Sequence, residues 1–328
     1  MPLDRPHFNR VLITGGAGFI GCNFVRMLIQ NNLEFSAGEI VVLDALTYAS
    51  DISSIQNFID SSELTFVNGN ITDMQLVLSL TKGAELIVNF AAESHVDRSI
   101  SESQEFILSN VLGVDVLLHA MRINKVKTFL QVSTDEVYGS ITSGSWTESF
   151  PIKPNSPYSA SKASADLIAL AHSTTHQIDI RITRCCNNYG PYQHTEKFIP
   201  TCIDNLLSNK KIPIYGAGNQ IREWIHVDDH CIGIGIVIAK GKSGEIYNIG
   251  SGQEVSNLEL ANAIASKIAG TEDFIEYVED RKGHDFRYSL NFSKIESLGY
   301  SPRRNWKEEL PKLIVWYKNK NKERSADY

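Results

Sequence analysis

Thr14-Gly15-Gly16-Ala17-Gly18-Phe19-Ile20-Gly21 is the stretch of sequence that decides the fold. It follows an apolar run of strand length at 11–14 and opens a helical pattern over 19–30. The glycines at 15, 18 and 21 lack β-carbons, so backbone amides can come close to a pyrophosphate, whose charge the helix N-terminus stabilises. A strand, this loop and a helix in that order predict a dinucleotide-binding unit near the start of the chain.

Short β-rich runs alternate with helical patterns through the first half of the chain. Strands are predicted at 11–14, 40–43, 64–67, 85–90 and 128–133, with helices at 19–30, 51–60, 73–81 and 102–124. The strands are apolar along their whole length, as expected when helices cover both faces of a parallel sheet. The predicted fold class is therefore α/β, with a doubly wound, Rossmann-like parallel sheet.

The second half changes character after prolines at 151, 154 and 157. A helix at 158–176 and a strand at 178–183 are followed, beyond Gly190-Pro191, by a mixed pattern of helices and short strands. We predict a dinucleotide-binding domain over residues 1–190 and a smaller α/β substrate lobe over 191–328, with a boundary that later segments can cross back over. The Lys- and Asn-rich tail from Lys318 is expected to fray in solvent.

Composition and charge exclude several classes of protein. With 328 residues, 42% of them hydrophobic and 21% charged, the chain has the composition of a globular protein large enough to bury its own core. A formal net charge of -7 disfavours binding to nucleic acid or to an anionic membrane. The five cysteines form no Cys-x-x-Cys pair, and the sequence has neither an apolar leader nor an apolar run of membrane-spanning length. A cytoplasmic protein that acts on a small molecule is therefore expected.

Asp44 ends the second predicted strand, 23 residues after Gly21. A carboxylate at this place accepts hydrogen bonds from a ribose 2′-hydroxyl and repels a 2′-phosphate. The sequence therefore predicts NAD rather than NADP as the cofactor, the alternative being a helix cap or a surface aspartate.

Tyr158 and Lys162 lie four residues apart at the start of a predicted helix, so their side chains project from the same face. A free tyrosine titrates near pH 10, and a neighbouring ammonium lowers the pKa of the phenol. By itself, a tyrosine and a lysine at this spacing often occur by chance. After a glycine-rich βαβ unit it indicates hydride transfer at a carbinol, with Tyr158 as the base.

A hydroxyl and two carboxylates follow the fifth predicted strand, in Ser133-Thr134-Asp135-Glu136-Val137-Tyr138-Gly139. Open α/β sheets bind ligands beyond the carboxyl ends of their strands, so Thr134, Asp135 and Glu136 should face a substrate. Oxidation of an alcohol needs one proton acceptor, whereas two further carboxylates suit an elimination. One removes a carbon-bound proton and the other protonates a departing hydroxyl. The alternative is a pair of solvated turn residues.

These motifs resemble those of the extended short-chain dehydrogenases/reductases, and most closely those of the dTDP-glucose 4,6-dehydratase family. The resemblance covers nearly the whole chain. It is carried by TGGAGFIG at 14–21, LDALTYAS at 43–50, FAAESHVDRSI at 90–100, STDEVYG at 133–139, YSASKASAD at 158–166, TRCCNNYGPYQHTEKFIP at 183–200, GNQIREWIHVDDH at 218–230, YNIGSG at 247–252 and DRKGHDFRY at 280–288. The adjacent Asp135 and Glu136 distinguish this family from related epimerases.

The resemblance implies an NAD-dependent lyase that converts dTDP-glucose to dTDP-4-keto-6-deoxyglucose and water. Tyr158 would take the proton of the sugar 4-hydroxyl while hydride passes from C4 to NAD. Thr134 would hydrogen-bond that hydroxyl, and Lys162 would hold the nicotinamide ribose. Glu136 would remove the C5 proton and Asp135 would protonate the departing 6-hydroxyl, after which the hydride returns to C6. Because the cofactor is regenerated in every cycle, tight retention of NAD is expected.

The resemblance also assigns binding residues, and it assigns no metal site. Those implied for the cofactor are Gly15, Gly18, Phe19, Ile20, Gly21, Asp44, Thr47, Asn70, Ile71, Ala91, Ala92, Glu93, Ser109, Tyr158, Lys162 and Asn188. Those implied for the nucleotide sugar are Ser94, Thr134, Asn187, Lys197, Phe198, Pro213, Tyr215, Arg222, Asn257, Arg281 and His284. Asn70 stands where the family usually has an aspartate facing the adenine amino group, and its amide oxygen can still accept that hydrogen bond.

Two other enzymes and one non-enzyme are alternatives at this point. The substrate of a UDP-glucose 4,6-dehydratase has a base that lacks one methyl group, which is worth about 1–3 kcal/mol. A nucleotide-sugar 4-epimerase shares the cofactor and the Tyr158–Lys162 pair but releases no water. A silent NAD-binding sensor would lack the catalytic groups, all of which are present. The resemblance further implies a homodimer, in which helices around 106–121 and 158–170 form a four-helix bundle across a two-fold axis.

Overall fold

The computed structural model describes residues 5–271, 273–280 and 283–326. The strands are β1 His7–Thr14, β2 Ser36–Asp44, β3 Thr65–Asn68, β4 Leu86–Asn89, β5 Thr128–Thr134, β6 Asp179–Cys185, β7 Asn187–Tyr189, β8 Ile212–Tyr215, β9 Ile221–His226, β10 Ile246–Ile249, β11 Glu254–Ser256 and β12 Ile275–Val278. The α-helices are α1 Phe19–Ile29, α2 Gln56–Asp60, α3 Met74–Leu80, α4 Val96–Ser101, α5 Ser103–Ile107, α6 Gly113–Asn124, α7 Pro157–His176, α8 Phe198–Leu207, α9 Val227–Lys240, α10 Asn257–Ala269, α11 Ser293–Glu296 and α12 Trp306–Ala326.

A seven-stranded parallel sheet in the order β10-β6-β5-β4-β1-β2-β3 forms the centre of the protein. The central strand β1 explains its two-sided core, because Val11 and Ile13 pack on one face while Leu12 packs on the other. Helices α1 and α9 cover the first face, and α3, α6 and α7 cover the second. The predicted doubly wound α/β class is confirmed.

A smaller lobe contains a separate core and two further sheets, one of β11-β9-β7 and one of β12-β8. Its core includes Ile199 from α8, Trp224 from β9, Leu260 from α10 and Leu310 from α12. Strand β10 lies beyond residue 190 yet pairs with β6 at the edge of the main sheet. The division at residue 190 stays a prediction, and this strand crosses back over it.

One predicted helix and the predicted C-terminal tail have a different structure. The segment predicted as one helix at 102–124 is divided into α5, a π-helical turn Leu108–Leu112 and α6. The tail predicted to fray continues as helix α12 to Ala326, and Tyr317 and Lys320 of that helix contact the rest of the protein. Hydrophobic periodicity does not reveal side-chain hydrogen bonds between distant elements, and such bonds hold both segments in place.

The segment Ser103–Asn124 is, by length and composition alone, apolar enough to cross a membrane. Half of that apolar window is buried inside the protein, where Leu117, Leu118 and Met121 belong to the core on the α6 face. A core helix of a globular protein passes the same test, so one such segment is weak evidence for a membrane span.

Candidate active site

The phosphate loop between β1 and α1 is held open by its glycines. Gly15 has φ +70°, and a β-carbon there would lie 2.5 Å from the backbone nitrogen of Ala91. A β-carbon on Gly21 would lie 2.1 Å from the carbonyl oxygen of Gly15, so both positions exclude any larger residue. Gly18 caps α1 without a side-chain hydrogen bond. The first amides of α1 therefore have no side-chain acceptor and suit a pyrophosphate.

Asp44 at the end of β2 is buried and holds the loops on both sides of it. Its Oδ2 accepts a hydrogen bond from the Ala17 backbone nitrogen at 2.9 Å. Its Oδ1 accepts one from the Leu46 backbone nitrogen at 2.9 Å and one from the Ser50 hydroxyl at 2.8 Å. A carboxylate has room for about four such bonds, so one more remains for a ribose hydroxyl beside the phosphate loop.

A cavity of about 330 Å³ runs from this loop across the carboxyl ends of the central strands. Every residue predicted for the cofactor lines it, from Gly15 through Asn188, and so do the predicted catalytic residues. Of the predicted substrate residues, those in its lining are Ser94, Thr134, Asn187, Lys197 and Phe198. The strand order places this cavity where β1 is flanked by β2 and β4, which is the switch point of such sheets.

Several buried polar atoms of the cavity residues have no hydrogen-bond partner within the described residues. They are Asp135 Oδ2, Asn187 Oδ1, Gln193 Oε1 and Trp224 Nε1. Buried polar groups in native proteins are nearly always hydrogen-bonded, so these atoms indicate partners supplied by a ligand. A dinucleotide and a sugar, which carry many hydroxyl groups, fit this donor and acceptor set.

Thr134, Asp135 and Glu136 lie where β5 ends and the short 3-10 turn Asp135–Tyr138 begins. The Thr134 hydroxyl caps that turn by accepting a hydrogen bond from the Glu136 backbone nitrogen at 3.3 Å. Burial, followed by the charges of Glu136 and Glu223, raises the pKa of Asp135 well above its ordinary value. Asp135 is thus suited to remain protonated and to act as an acid, whereas half-buried Glu136 is the more accessible carboxylate.

Tyr158 and Lys162 lie in the first two turns of α7, which begins at a Ser156–Ser159 capping box with Pro157 at its first position. Contrary to the sequence expectation, the pKa of Tyr158 is raised here, by burial and by the charges of Glu136 and Asp135. The Lys162 ammonium donates a hydrogen bond to the Val132 carbonyl at 2.7 Å. Burial lowers the pKa of Lys162, and the carboxylate of Asp166 counteracts that effect.

The remaining predicted substrate residues that the structure describes lie outside the cavity lining, in the smaller lobe. Tyr215 and His284 contact each other with ring centroids 6.4 Å apart. Arg222 is buried, and its guanidinium donates hydrogen bonds to the Ile221 and Asp285 carbonyls. Pro213 lies in β8, and Asn257 is the first residue of α10. Arg281 lies outside the described residues. Their roles toward a nucleotide stay predictions.

Asn70 lines the cavity, and its predicted role toward adenine stays a prediction. Its Oδ1 accepts hydrogen bonds from the backbone nitrogen and the hydroxyl of Thr72, both at 2.9 Å. The side-chain oxygen therefore already accepts two hydrogen bonds within its own turn.

The analysis of the sequence missed Asn110, which supports the site from the π-helical turn. Its Oδ1 accepts a hydrogen bond from the Glu93 backbone nitrogen at 2.8 Å, and its Nδ2 donates to the Glu93 carbonyl and to the Ser161 hydroxyl. It joins the loop after β4 to the helix that carries Tyr158. π-Helical turns are rare and often occur at functional sites, but hydrophobic periodicity does not reveal them.

His230 on α9 is a second supporting residue that was missed. It is fully buried, and burial lowers its pKa to about 3, so its ring is neutral at any ordinary pH. Its Nδ1 lies 2.9 Å from Oδ1 of Asn188 in the cavity wall. A histidine in the motif Val227-Asp228-Asp229-His230 was the available signal, but its burial depends on the tertiary structure.

Comparisons with known proteins agree with this geometry. A family model described as GDP-mannose 4,6 dehydratase matches residues 12–313. The dTDP-glucose 4,6-dehydratase of Streptomyces antibioticus is 48% identical over 312 residues, which cover 94% of this chain and 92% of that protein. The low-salt glycan biosynthesis protein Agl12 of Haloferax volcanii is 47% identical over 307 residues, covering 94% of this chain and 98% of that protein.

Solved structures extend the similarity to three dimensions. DesIV, a dTDP-glucose 4,6-dehydratase from Streptomyces venezuelae crystallised with NAD bound, is 49% identical and has a TM-score of 0.93, covering 94% of this chain and 97% of its own. The corresponding enzyme of Bacillus anthracis, in complex with NAD, is 42% identical with a TM-score of 0.87, covering 95% of this chain and 97% of its own. This chain belongs to the dTDP-glucose 4,6-dehydratase family of extended short-chain dehydrogenases/reductases.

Proposed function

We propose that this protein is an NAD-dependent lyase that converts dTDP-glucose to dTDP-4-keto-6-deoxyglucose and water. The observation that carries the proposal is the pair Asp135–Glu136, which joins Tyr158 in one cavity at the carboxyl end of β5. A 4-epimerase has no step that needs these two carboxylates, and the relatives at 48% and 49% identity carry the dehydratase name.

The first proton transfer, from the sugar 4-hydroxyl, involves Tyr158, Thr134 and Lys162. When bound, NAD supplies the acceptor for hydride from C4, a positive charge beside the phenol, and the hydride that is returned to C6. The phenolate form of Tyr158, which the Thr134 hydroxyl favours, takes the proton of the 4-hydroxyl. Lys162, whose ammonium is supported by Asp166, adds a positive charge to the same buried site.

Glu136 and Asp135 then divide the elimination between them. The 4-keto group makes the C5 proton acidic, and the carboxylate of Glu136 removes it. Asp135, kept protonated by burial and by the charge of Glu136, gives its proton to the departing 6-hydroxyl. A proton returns to C5 when C6 is reduced, so the two adjacent carboxyl groups, in different environments, perform the base and the acid roles.

An isotope experiment tests the proposed reaction. dTDP-glucose that carries deuterium at C4 should yield a 4-keto product with deuterium in its C6 methyl group, without added NAD and without accumulation of NADH. NMR of the product measures the transfer, and UDP-glucose under the same conditions tests the choice of nucleotide. Product that forms without deuterium at C6, while exchange with solvent is excluded, would contradict the proposed hydride return.

We also propose a homodimer formed through the exposed apolar side of α4, α5 and α7. Ile107 and Leu167 are 55% and 56% exposed, and Ile100, Leu108 and Leu112 add to this apolar surface. A patch of this kind marks an interface more often than a free surface.

The cytoplasm is the proposed compartment, because the five cysteines all lie among the described residues as buried free thiols.

A charge in this surface should separate the subunits. The variant Ile107→Glu with Leu167→Glu is expected to sediment with half the mass of the wild type at micromolar concentration, because each glutamate would be buried against apolar side chains. Val315→Glu, at a position 55% exposed on α12, is the control and should leave the mass unchanged. A wild-type protein that sediments as a monomer would contradict the proposed dimer.

A further inference from the structure

The end of helix α12 returns to the NAD-binding domain and contacts it through ordered side chains. Lys320 Nζ lies 3.0 Å from Oδ2 of Asp51, and its ammonium lies 5.2 Å from the ring centroid of Trp316 and 5.8 Å from that of Tyr192. The Lys320 side chain is only 22% exposed. Surface lysines usually stay solvated, so a lysine enclosed by a carboxylate and two rings forms a defined contact.

Asp51 connects this lysine to the phosphate loop. Its backbone nitrogen donates a hydrogen bond to the Ala17 carbonyl at 2.9 Å, and the Ala17 nitrogen donates to Asp44 Oδ2 at the same distance. The tip of the phosphate loop is therefore held from both sides. Thr47 and Ser50 lie between Asp44 and Asp51 and line the cavity, so Lys320 anchors the far end of this cavity wall.

Tyr317 makes a second contact one turn earlier on α12, with another part of the cavity wall. Its buried hydroxyl donates a hydrogen bond to the Gln193 carbonyl at 2.9 Å. The Gln193 side chain in turn donates to the Asn188 carbonyl at 2.9 Å. Gln193 and Asn188 both line the cavity, so one helix end holds two walls that come from different parts of the chain.

We propose that Lys320 and Tyr317 act as positioning residues that keep the two cavity walls closed on bound NAD and so slow its release. This inference rests on the proposed use of NAD. A cofactor that is reoxidised within each cycle does not need to leave the site. We expect its release to require that the cavity wall 44–51 moves away from the phosphate loop. Neither residue lines the cavity, so both act through Asp51, Ala17 and Gln193.

The rate of NAD release from the purified holoprotein tests the proposal. Released NAD is captured by excess alcohol dehydrogenase and ethanol, and the absorbance of the NADH formed gives the rate. Lys320→Met should release NAD about three to five times faster than the wild type, the range that a partly exposed ion pair can supply. Lys318→Met, exposed on the same helix, is the matched control and should release NAD at the wild-type rate.

Further variants test whether these contacts slow the release of NAD or only support the fold in general. Lys320→Arg should restore slow release, and Asp51→Asn should release NAD as fast as Lys320→Met, with no added effect in the double variant. Tyr317→Phe should also speed release, while the thermal midpoint of the protein without NAD stays close to that of the Lys318→Met control. In single-turnover assays with saturating NAD, the rate of the first hydride transfer should be unchanged in Lys320→Met.

Two outcomes would overturn parts of this account separately. The proposed role of Lys320 would be contradicted if the wild type retained NAD and Lys320→Met released it at the rate of the control. The proposed function would then be unaffected. Wild-type protein that binds no NAD would contradict both the proposed function and the proposed role of Lys320 and Tyr317.

Discussion

Glu136→Gln is expected to lower the rate of 4-keto-6-deoxy product formation by about 10² to 10⁴, the range that general base catalysis contributes. Glutamine has the size of glutamate but cannot take a proton from C5. The first oxidation depends on Tyr158, so hydride transfer from C4 should still occur. Mixing the NAD-loaded variant with dTDP-glucose should therefore produce a NADH absorbance that persists, whereas the wild type shows none at steady state.

Two further variants sharpen this experiment. Glu63→Gln changes an exposed glutamate outside the cavity and should leave product formation unchanged. Asp135→Asn removes the proton donor and should also slow the loss of water. Deuterium from solvent should enter C5 faster in Asp135→Asn than in Glu136→Gln, since only Asp135→Asn keeps the base. Full dehydration by Glu136→Gln would show that another group removes the C5 proton.

The second large effect is expected at the buried ion pair between α7 and β6. Arg184 Nε donates a hydrogen bond to Asp166 Oδ2 at 2.9 Å, and the two side chains are 1% and 0% exposed. Burial opposes the charge on Arg184, but Asp166 and Tyr138 outweigh burial and raise the pKa of the guanidinium. The arginine therefore stays charged although it is buried, and its counter-charge is essential there.

Asp166→Asn is expected to lower the free energy of unfolding by about 3–5 kcal/mol, because it leaves the buried Arg184 charge unpaired. Urea unfolding measures the change. The double variant Asp166→Leu with Arg184→Met removes both charges and should recover most of the loss. Glu245→Gln, which breaks the exposed pair with Lys294, is the control and should change stability by less than about 1 kcal/mol.

A result in which Asp166→Asn matches the exposed-pair control would mean that Arg184 finds another partner in the variant. The pair also has a functional side, because Asp166 lies one turn beyond Lys162 on α7 and supports its ammonium. The double variant should therefore recover stability without recovering the full rate of hydride transfer. This difference separates the stability of the fold from the electrostatics of the site.

The first half of the fold was predictable because its signals are local. The glycines at 15, 18 and 21 act through the absence of β-carbons, and the apolar strands reflect burial on both faces of the sheet. Strand β9 was missed even though it carries Arg222 and Trp224, because its run of polar and aromatic residues has no clear period. Its place depends on pairing with β7 and β11, which are distant in sequence.

The sequence by itself determined the class of fold, the phosphate loop, and the residue types that can perform an oxidation followed by an elimination. These depend on short-range rules, since steric room, periodicity and proton affinity belong to individual residues and their neighbours. The tertiary structure alone decided the environment of each group. It brought Asp135 into a buried site that raises its pKa, turned Lys162 toward the Val132 carbonyl, and carried Lys320 from the chain end to Asp51. Burial and long-range contacts create these effects, and they exist only when distant segments pack together.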